Sequence, residues 1–229
     1  MDELLNIISQ IPLFGGLEQD QLAHVRRIAQ VREFNRLETI FMEGDPGVGF
    51  FVVAHGKVKI YKVSAEGKEQ ILHIYGPGHP FGEVPVFSGN RFPANAQAIE
   101  KSRLLYFPRP DFVELISAHP SMALNMLAVL SMRLRQFTVQ VENLSLKEVP
   151  ARIASYLMLL AQEQDNYDTV TLPISKGQLA SLLGTIPETL SRIFNKMSGQ
   201  GLIKVKGSQI DLTDPDALED LAVGGRLDE

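Results

Sequence analysis

The sequence predicts an α+β protein in three parts: an antiparallel β-roll over residues 1–120, one long helix over 121–146, and a C-terminal part over 147–229 in which two short helices precede a β-hairpin. Three observations lead there. Short β-patterned runs punctuated by glycine and proline crowd the first half. Apolar residues at alternating spacings of four and three mark the middle. Near the C-terminus an alanine, then a glycine four residues later, fall where two helices would cross and the chain would turn.

The roll is read from "ETIFM", "GFFVVAHGKVKIYKV", "EQILHIY", "NAQAI" and "RLLYFP". Within "KVKIYKV", Lys57, Lys59 and Tyr61 alternate with Val58, Ile60 and Lys62, the period of a half-buried antiparallel strand. "SAEGK" is the expected hairpin turn. An amphipathic helix precedes the roll, with Leu22, Val25 and Ile28 on one side.

In the long helix, Ala123, Leu127, Leu130, Leu134, Phe137, Val141 and Leu144 form a heptad seam. One alternative is a helix packed on its own domain. Three sustained heptads favour a partner helix, most simply that of a second copy, hence a homodimer.

The third part opens with "KEVPARIASYLMLLAQ", where Pro150 is tolerated in a first helical turn. "DNYDTVTLPI" reads as a loop and a short strand. Ser145–Val149 is a candidate hinge. In "QLASLLGTIPETLSRI", small Ala180 allows close helix crossing, and Gly184 supplies a positive φ. Leu190 and Ile193 return to the same core. Ser175 with Gln178, and Thr185 with Glu188, fit two capping boxes. The unit is a helix-turn-helix, and "GLIKVKGSQIDL" adds a wing.

Such a second helix reads base edges with its N-terminal side chains. Arg192 suits guanine O6 and N7, Glu188 suits cytosine N4, and Thr189 suits a thymine methyl. Ser191 suits a base or a phosphate. Lys196, Lys204 and Lys206 suit phosphates. Lys176 and Thr185, at the two helix starts, complete the candidate DNA face. The competing readings are that Glu188 only closes a cap and that Arg192 only makes a surface ion pair.

Composition bounds the rest. The 229 residues suffice for two cores. Hydrophobic content is 45% and mean hydropathy is +0.01, as expected of a globular protein. No apolar run approaches the roughly 20 residues that span a bilayer. "MDELLNIISQ" lacks a signal-peptide layout, so a cytoplasmic protein with no membrane partner is expected. With no cysteines, disulfides, thiolate zinc sites and cysteine-held iron–sulfur clusters are excluded. The net charge of −5 hides a local reversal. From Ser175 to Ser208, Lys176, Arg192, Lys196, Lys204 and Lys206 face one acid, Glu188. From Gln209 onward Asp211, Asp214, Asp216, Glu219, Asp220, Asp228 and Glu229 face Arg226. A local basic patch is the footprint of nucleic-acid binding.

The order of parts resembles the CRP/FNR superfamily of bacterial transcription regulators. "IFMEGDP", "FFVVAHGKVKIY" and "PFGEVPVF" are similar to its cyclic-nucleotide-binding-type roll, and "PETLSR" to its recognition helix. Glu188, Ser191 and Arg192 match the Glu-x-x-Ser-Arg arrangement of the FNR-like branch, which implies a palindromic operator with TTGA-like half-sites and RNA polymerase as a partner. Cyclic-AMP receptors carry arginine just before that glutamate, where this chain has Pro187.

The resemblance also implies an effector pocket of His79, Phe81, Gly82, Glu83, Val84, Arg91, Phe92, Pro93 and Ala94. Cyclic-AMP binders hold the phosphate with an arginine two residues before an alanine. Here "RFPANA" puts Phe92 at that position and Arg91 one residue early, so a buried phosphate would lack its counter-charge. Cyclic AMP is not the expected effector. "PANA", "VPARIASYL" and "PETLSR" resemble the branch that answers nitric oxide and nitrosative stress, which implies a small-molecule or gas effector and haem as a cofactor. Among His24, His55, His73, His79 and His119, the candidate haem ligands are His79, beside the pocket turn, and His119, at the start of the long helix. Two other readings compete. His73, His79 and Glu83 on a roll suggest a metal-dependent cupin-like enzyme, although Pro77 breaks the His-x-His pattern. A constitutive DNA-binding protein with a purely structural roll is the other.

Overall fold

The computed structural model describes residues 3–89, 91–224 and 227. Arg226, Asp228 and Glu229, counted above in the C-terminal charge, lie outside the described residues. The chain divides into two compact units, Met1–Arg135 and Gln136–Glu229, with the boundary inside the long helix.

In the first unit, helices α1 (Glu3–Ser9) and α2 (Gln19–Ile28) precede strands β1 (Gln30–Phe34), β2 (Thr39–Phe41), β3 (Gly49–His55), β4 (Val58–Val63), β5 (Glu69–Tyr75) and β6 (Pro80–Phe81). Helix α3 (Val84–Ser88), strands β7 (Asn95–Ala98) and β8 (Ser102–Pro108), helix α4 (Arg109–Ala118) and the long helix α5 (Pro120–Leu146) follow. The strands form two four-stranded sheets, β1-β8-β3-β6 and β2-β7-β4-β5, antiparallel throughout. β1 and β6 were not among the expected runs. β1, "QVREF", is mostly exposed, and β6 is two residues long, so neither carries a hydrophobic period.

"GFFVVAH" is buried almost throughout because its sheet has a core on each face. Phe50 and Val52 join Leu105, Phe107 and the helical layer. Phe51 and Val53 join Leu104, Tyr106, Phe41, Phe81 and Phe92 inside the roll. The single run expected over residues 49–63 is divided at Gly56, whose φ of +89° turns β4 into the other sheet. A Cβ there would collide with Ser102.

β4 pairs with β7 in unbroken register, and its register shift against β5 between Ile60 and Tyr61 leaves Leu72 as the extra residue of β5. Lys59, expected at the surface, is 8% exposed and paired with Glu69. A period-two pattern has no means of announcing this partner on the neighbouring strand. The β4–β5 hairpin closes as expected, with Gly67 N–H donating to the Ser64 carbonyl.

α5 has two apolar faces. Met122 and Met126 are buried in the core of the first unit, with Leu130 packed against it. Leu127, Leu134, Phe137 and Val141 stay exposed, Leu134 at 69%, while Leu144 is half-buried. Among the described residues no single helix is long and apolar enough to cross a membrane.

The second unit contains α6 (Val149–Glu163), β9 (Thr169–Thr171), α7 (Lys176–Leu182), α8 (Pro187–Gly199), β10 (Ile203–Lys206), β11 (Gln209–Leu212) and α9 (Pro215–Val223). Pro150 sits in the first turn of α6, where its missing N–H costs nothing. The wing hairpin gains β9 as a third strand, in the order β10-β11-β9. Ala180, Leu190, Ile193, Phe194 and Met197 share one core with Ile153 and Leu157 of α6.

Candidate nucleic-acid interface and effector chamber

The helix-turn-helix forms where the spacing places it. Ser175 caps α7, and Gln178 returns the bond, so the first capping box is complete. Gly184 takes φ +66°. The second box is corrected. α8 starts one residue later than Thr185 requires, with Ile186 as an extended N-cap that makes no side-chain cap bond, because Pro187 opens the helix at its first position. Glu188 is therefore not used as a cap.

That shift leaves the Glu188 side chain out of the helix cap. Glu188, Ser191, Arg192 and Lys196 are exposed and Thr189 is half-buried. None of the five side chains bonds to another described residue. Leu190, Ile193, Phe194 and Met197 anchor the opposite face. Lys176 lies over the Phe194 ring with its Nζ 5.8 Å from the centroid. Thr185 is half-buried in the turn.

The wing lysines differ from one another. Lys204 is exposed. Lys206 is ion-paired at 2.9 Å with Asp211, diagonally across the hairpin, since Asp211 stands opposite Lys204. The hydrogen bond from Lys206, then its charge, then a bond from Thr169 hold the Asp211 carboxyl below its ordinary pKa. The simple reading of Lys206 as a free phosphate ligand missed this partner, because cross-strand pairing depends on hairpin register.

In the roll, the structure brings together part of the expected effector pocket. Phe81, Glu83, Phe92 and Ala94 are buried, with Gly82 beside them at φ +71°. A Cβ on Gly82 would press on the rings of Phe41 and Phe92 at 3.1 and 3.2 Å. Those two rings stack face to face, 3.7 Å apart. Val84, Pro93 and His79 are exposed. Arg91 is exposed as well, and its Nη1 donates to the Gly44 carbonyl at 2.6 Å.

Sequence reasoning missed the polar centre of this chamber. Arg133 of α5 is buried beside the Gly82–Glu83 turn. It donates to Glu83 and to the Pro80 carbonyl, and its guanidinium lies 4.6 Å from the Tyr75 ring centroid. Arg133 stands one residue before Leu134 of the seam, so the heptad pattern masked its inward turn. Burial, then the charges of Arg133 and His79, lower the pKa of His73 to about 4. Burial raises Tyr75 to about 12. His79 directs Nδ1 to the carbonyls of Gly76 and Pro77, and His119 shares Nδ1 with the Gln21 amide at 3.1 Å.

A roll with a buried polar turn, a long helix with an exposed apolar face, and a winged helix-turn-helix define an effector-responsive, DNA-binding transcription regulator. Residues 31–119 match the cyclic nucleotide-binding domain family, and residues 151–221 the Crp-like helix-turn-helix domain family. The chain is 31% identical over 213 residues to the cyclic AMP receptor protein of Thermus thermophilus, covering 93% of this chain and 97% of that one. It is 27% identical to the fumarate and nitrate reduction regulatory protein of Escherichia coli K12, covering 90% and 82%. FixK2 of Bradyrhizobium japonicum shares the fold with a TM-score of 0.75 at 24% identity, covering 87% of this chain and 100% of that one. The chain belongs to the CRP/FNR family of transcription regulators. These relatives are regulators, which removes the cupin-like enzyme reading.

Proposed function

We propose that two copies of this chain pair through the α5 seam and read a palindromic operator with TTGA-like half-sites, one α8 in each major groove. The observation that carries this reading is that Glu188 and Arg192, on the first turns of α8, are exposed and bond to no other described residue through their side chains. Four residues of helix rise about 6 Å, close to two base-pair steps, so both side chains can reach base pairs of one half-site. Arg192 donates to guanine and Glu188 accepts from cytosine. Lys196 and Lys204 meet phosphates, and Lys206 does so by exchanging Asp211 for the backbone. Bound in this way in the cytoplasm, the dimer presents itself to RNA polymerase.

The effector enters the roll and is not cyclic AMP. A phosphate there would meet the stacked Phe41 and Phe92 rings, with Arg91 turned outward and Arg133 already held by Glu83. An apolar or gaseous effector suits the aromatic lining better. Nitric oxide sensed through haem is the finer form of this reading. His79 fits as a haem ligand, since its backbone-bonded Nδ1 leaves Nε2 for iron at the rim. His119 keeps Nε2 in the same way. A macrocycle inside the roll would have to part the Phe41–Phe92 stack. Bound haem would supply the gas-binding iron. The residues Ser145–Val149, between the end of α5 and the start of α6, serve as the hinge through which the effector biases α8.

The test combines sedimentation with operator titration. The wild type is expected to be a dimer at micromolar concentration, and Leu134→Glu with Phe137→Glu to give monomers that lose operator affinity. A wild-type monomer with full operator affinity would overturn the reading. A Soret band that shifts with nitric oxide is the expected signature of the haem form. Its absence in protein purified with haem supplied would remove that form alone.

A further inference from the structure

The second turn of α6 holds an arginine to which DNA reading gives no task. Arg152 is half-buried, and its Nη1 donates to the Leu183 carbonyl at 2.6 Å. Its Nε is buried and has no acceptor among the described residues. Burial lowers its pKa. Beside it lies a cleft of about 780 Å³, lined by Arg152, Thr189, Arg192 and Lys196, with Glu148 as the one acid among its described lining residues. Three cations therefore converge on one cleft, one of them partly desolvated. Such an arrangement is costly, because a buried donor without an acceptor loses its bond to water.

The carbonyl that Arg152 holds stands at a sensitive point. Leu183 is the C-cap of α7, and helix-terminal carbonyls lack intrahelical partners. Gly184 follows at φ +66°, Thr185 N–H returns to the Ala180 carbonyl, and Ile186 is the N-cap of α8. Only these three residues separate Leu183 from the first residue of α8. A rotation at the Leu183 carbonyl therefore passes directly into the direction of α8.

We propose that Arg152 is a positioning residue for the recognition helix: by clamping the Leu183 carbonyl to α6 it fixes the turn and the pitch at which Glu188 and Arg192 meet base edges. It is not a DNA ligand in this role. Its Nε is buried and its Nη1 is turned to Leu183, so two of its three nitrogens are directed into the protein. The inference rests on the DNA-reading role of α8 proposed above. Specific binding depends on the pitch of that helix, whereas non-specific binding depends on the number of cations near phosphates.

The test uses full-length Arg152→Met and Arg152→Lys, measured on the operator and on random duplex over a range of salt. Arg152→Met is expected to lose about tenfold in operator affinity. Its random-duplex affinity and salt slope should be unchanged. Arg152→Lys, which keeps one donor for Leu183, should recover part of the loss. An equal loss on both duplexes, with the salt slope lowered by about 1, would make Arg152 a phosphate ligand and overturn the proposal. A lower thermal midpoint with an unchanged ratio of specific to random binding would leave it a merely structural residue and also overturn it. Arg152→Gln, which removes the charge but keeps a polar stem, gives the same discrimination where Arg152→Met does not fold. Arg192→Ala is run alongside. If it too leaves base preference intact, the α8 reading itself fails. If Arg192→Ala relaxes preference and Arg152→Met does not, only the present inference falls.

Discussion

Arg133 and Arg192 stand in different units and follow opposite rules. Arg133 is buried and bonded to Glu83 and Pro80, with Tyr75 against its face. Arg192 is exposed and bonds to no other described residue. A guanidinium taken out of water needs partners on every side, or its charge is ruinous to the fold. One left in water keeps its donors available for a ligand that arrives later. The first kind of arginine shapes the protein, and the second awaits something outside it.

The largest expected effect falls on the saturated pair. Arg133→Met should destabilise the first unit by about 3–5 kcal/mol, because Glu83 stays buried with its counter-ion gone. Adding Glu83→Gln should recover most of that loss in urea unfolding. A single mutant as stable as the wild type would show that the pair contributes nothing.

Next comes His73, the neutral neighbour of Arg133. Its folded pKa is about 4, below the ordinary 6.5. The unfolded chain takes up this proton as pH falls through 6.5, and the folded chain only near 4. Stability should therefore fall with pH across that window, by up to about 3 kcal/mol. His73→Phe should flatten the slope between pH 6.5 and 4, as read from denaturant midpoints.

On the exposed side, Arg192→Ala should cost about 1–3 kcal/mol of operator binding and relax preference at one base pair per half-site. Its effect on folding should stay within about 0.5 kcal/mol. A large drop in thermal midpoint would place Arg192 among the shaping arginines instead.

The smallest effect lies between the two kinds. Lys206 is exposed yet already paired with Asp211. Asp211→Asn should free it and raise affinity for all duplexes alike, by about two- to fivefold. The Asp211 pKa is depressed below 3.8, so the pair is intact at neutral pH and is lost only as pH falls through that lowered value. DNA affinity should show no titration from this pair near neutrality. A step there in the wild type that is absent in Asp211→Asn would contradict the assignment.

Much of this was legible in the chain because it rests on local rules. Ala180, Gly184 and the Ser175–Gln178 box state a helix-turn-helix within a few turns of chain, and the glycine-punctuated apolar runs that became β3 and β8 state strands of a roll. What stayed hidden depends on contacts between distant residues. Lys59, which alternation puts in water, is buried against Glu69 of the neighbouring strand. Pro187 moves the start of α8 by one residue and cancels the Thr185 cap. Arg133 finds Glu83 fifty residues away, Arg152 finds Leu183 thirty-one away, and nothing near either arginine announces its partner.

The stacked rings of Phe41 and Phe92 also bear on time. Rings 3.7 Å apart leave no gap between them, so an effector that seats between them, in the function proposed above, must wait for them to part. Once guest molecules are plentiful, adding more does not shorten that wait, because the opening step sets the pace. The speed of the response then belongs to the protein rather than to the supply of its signal. A brief pulse passes unregistered, and only a signal that outlasts the closed interval of the stack is recorded.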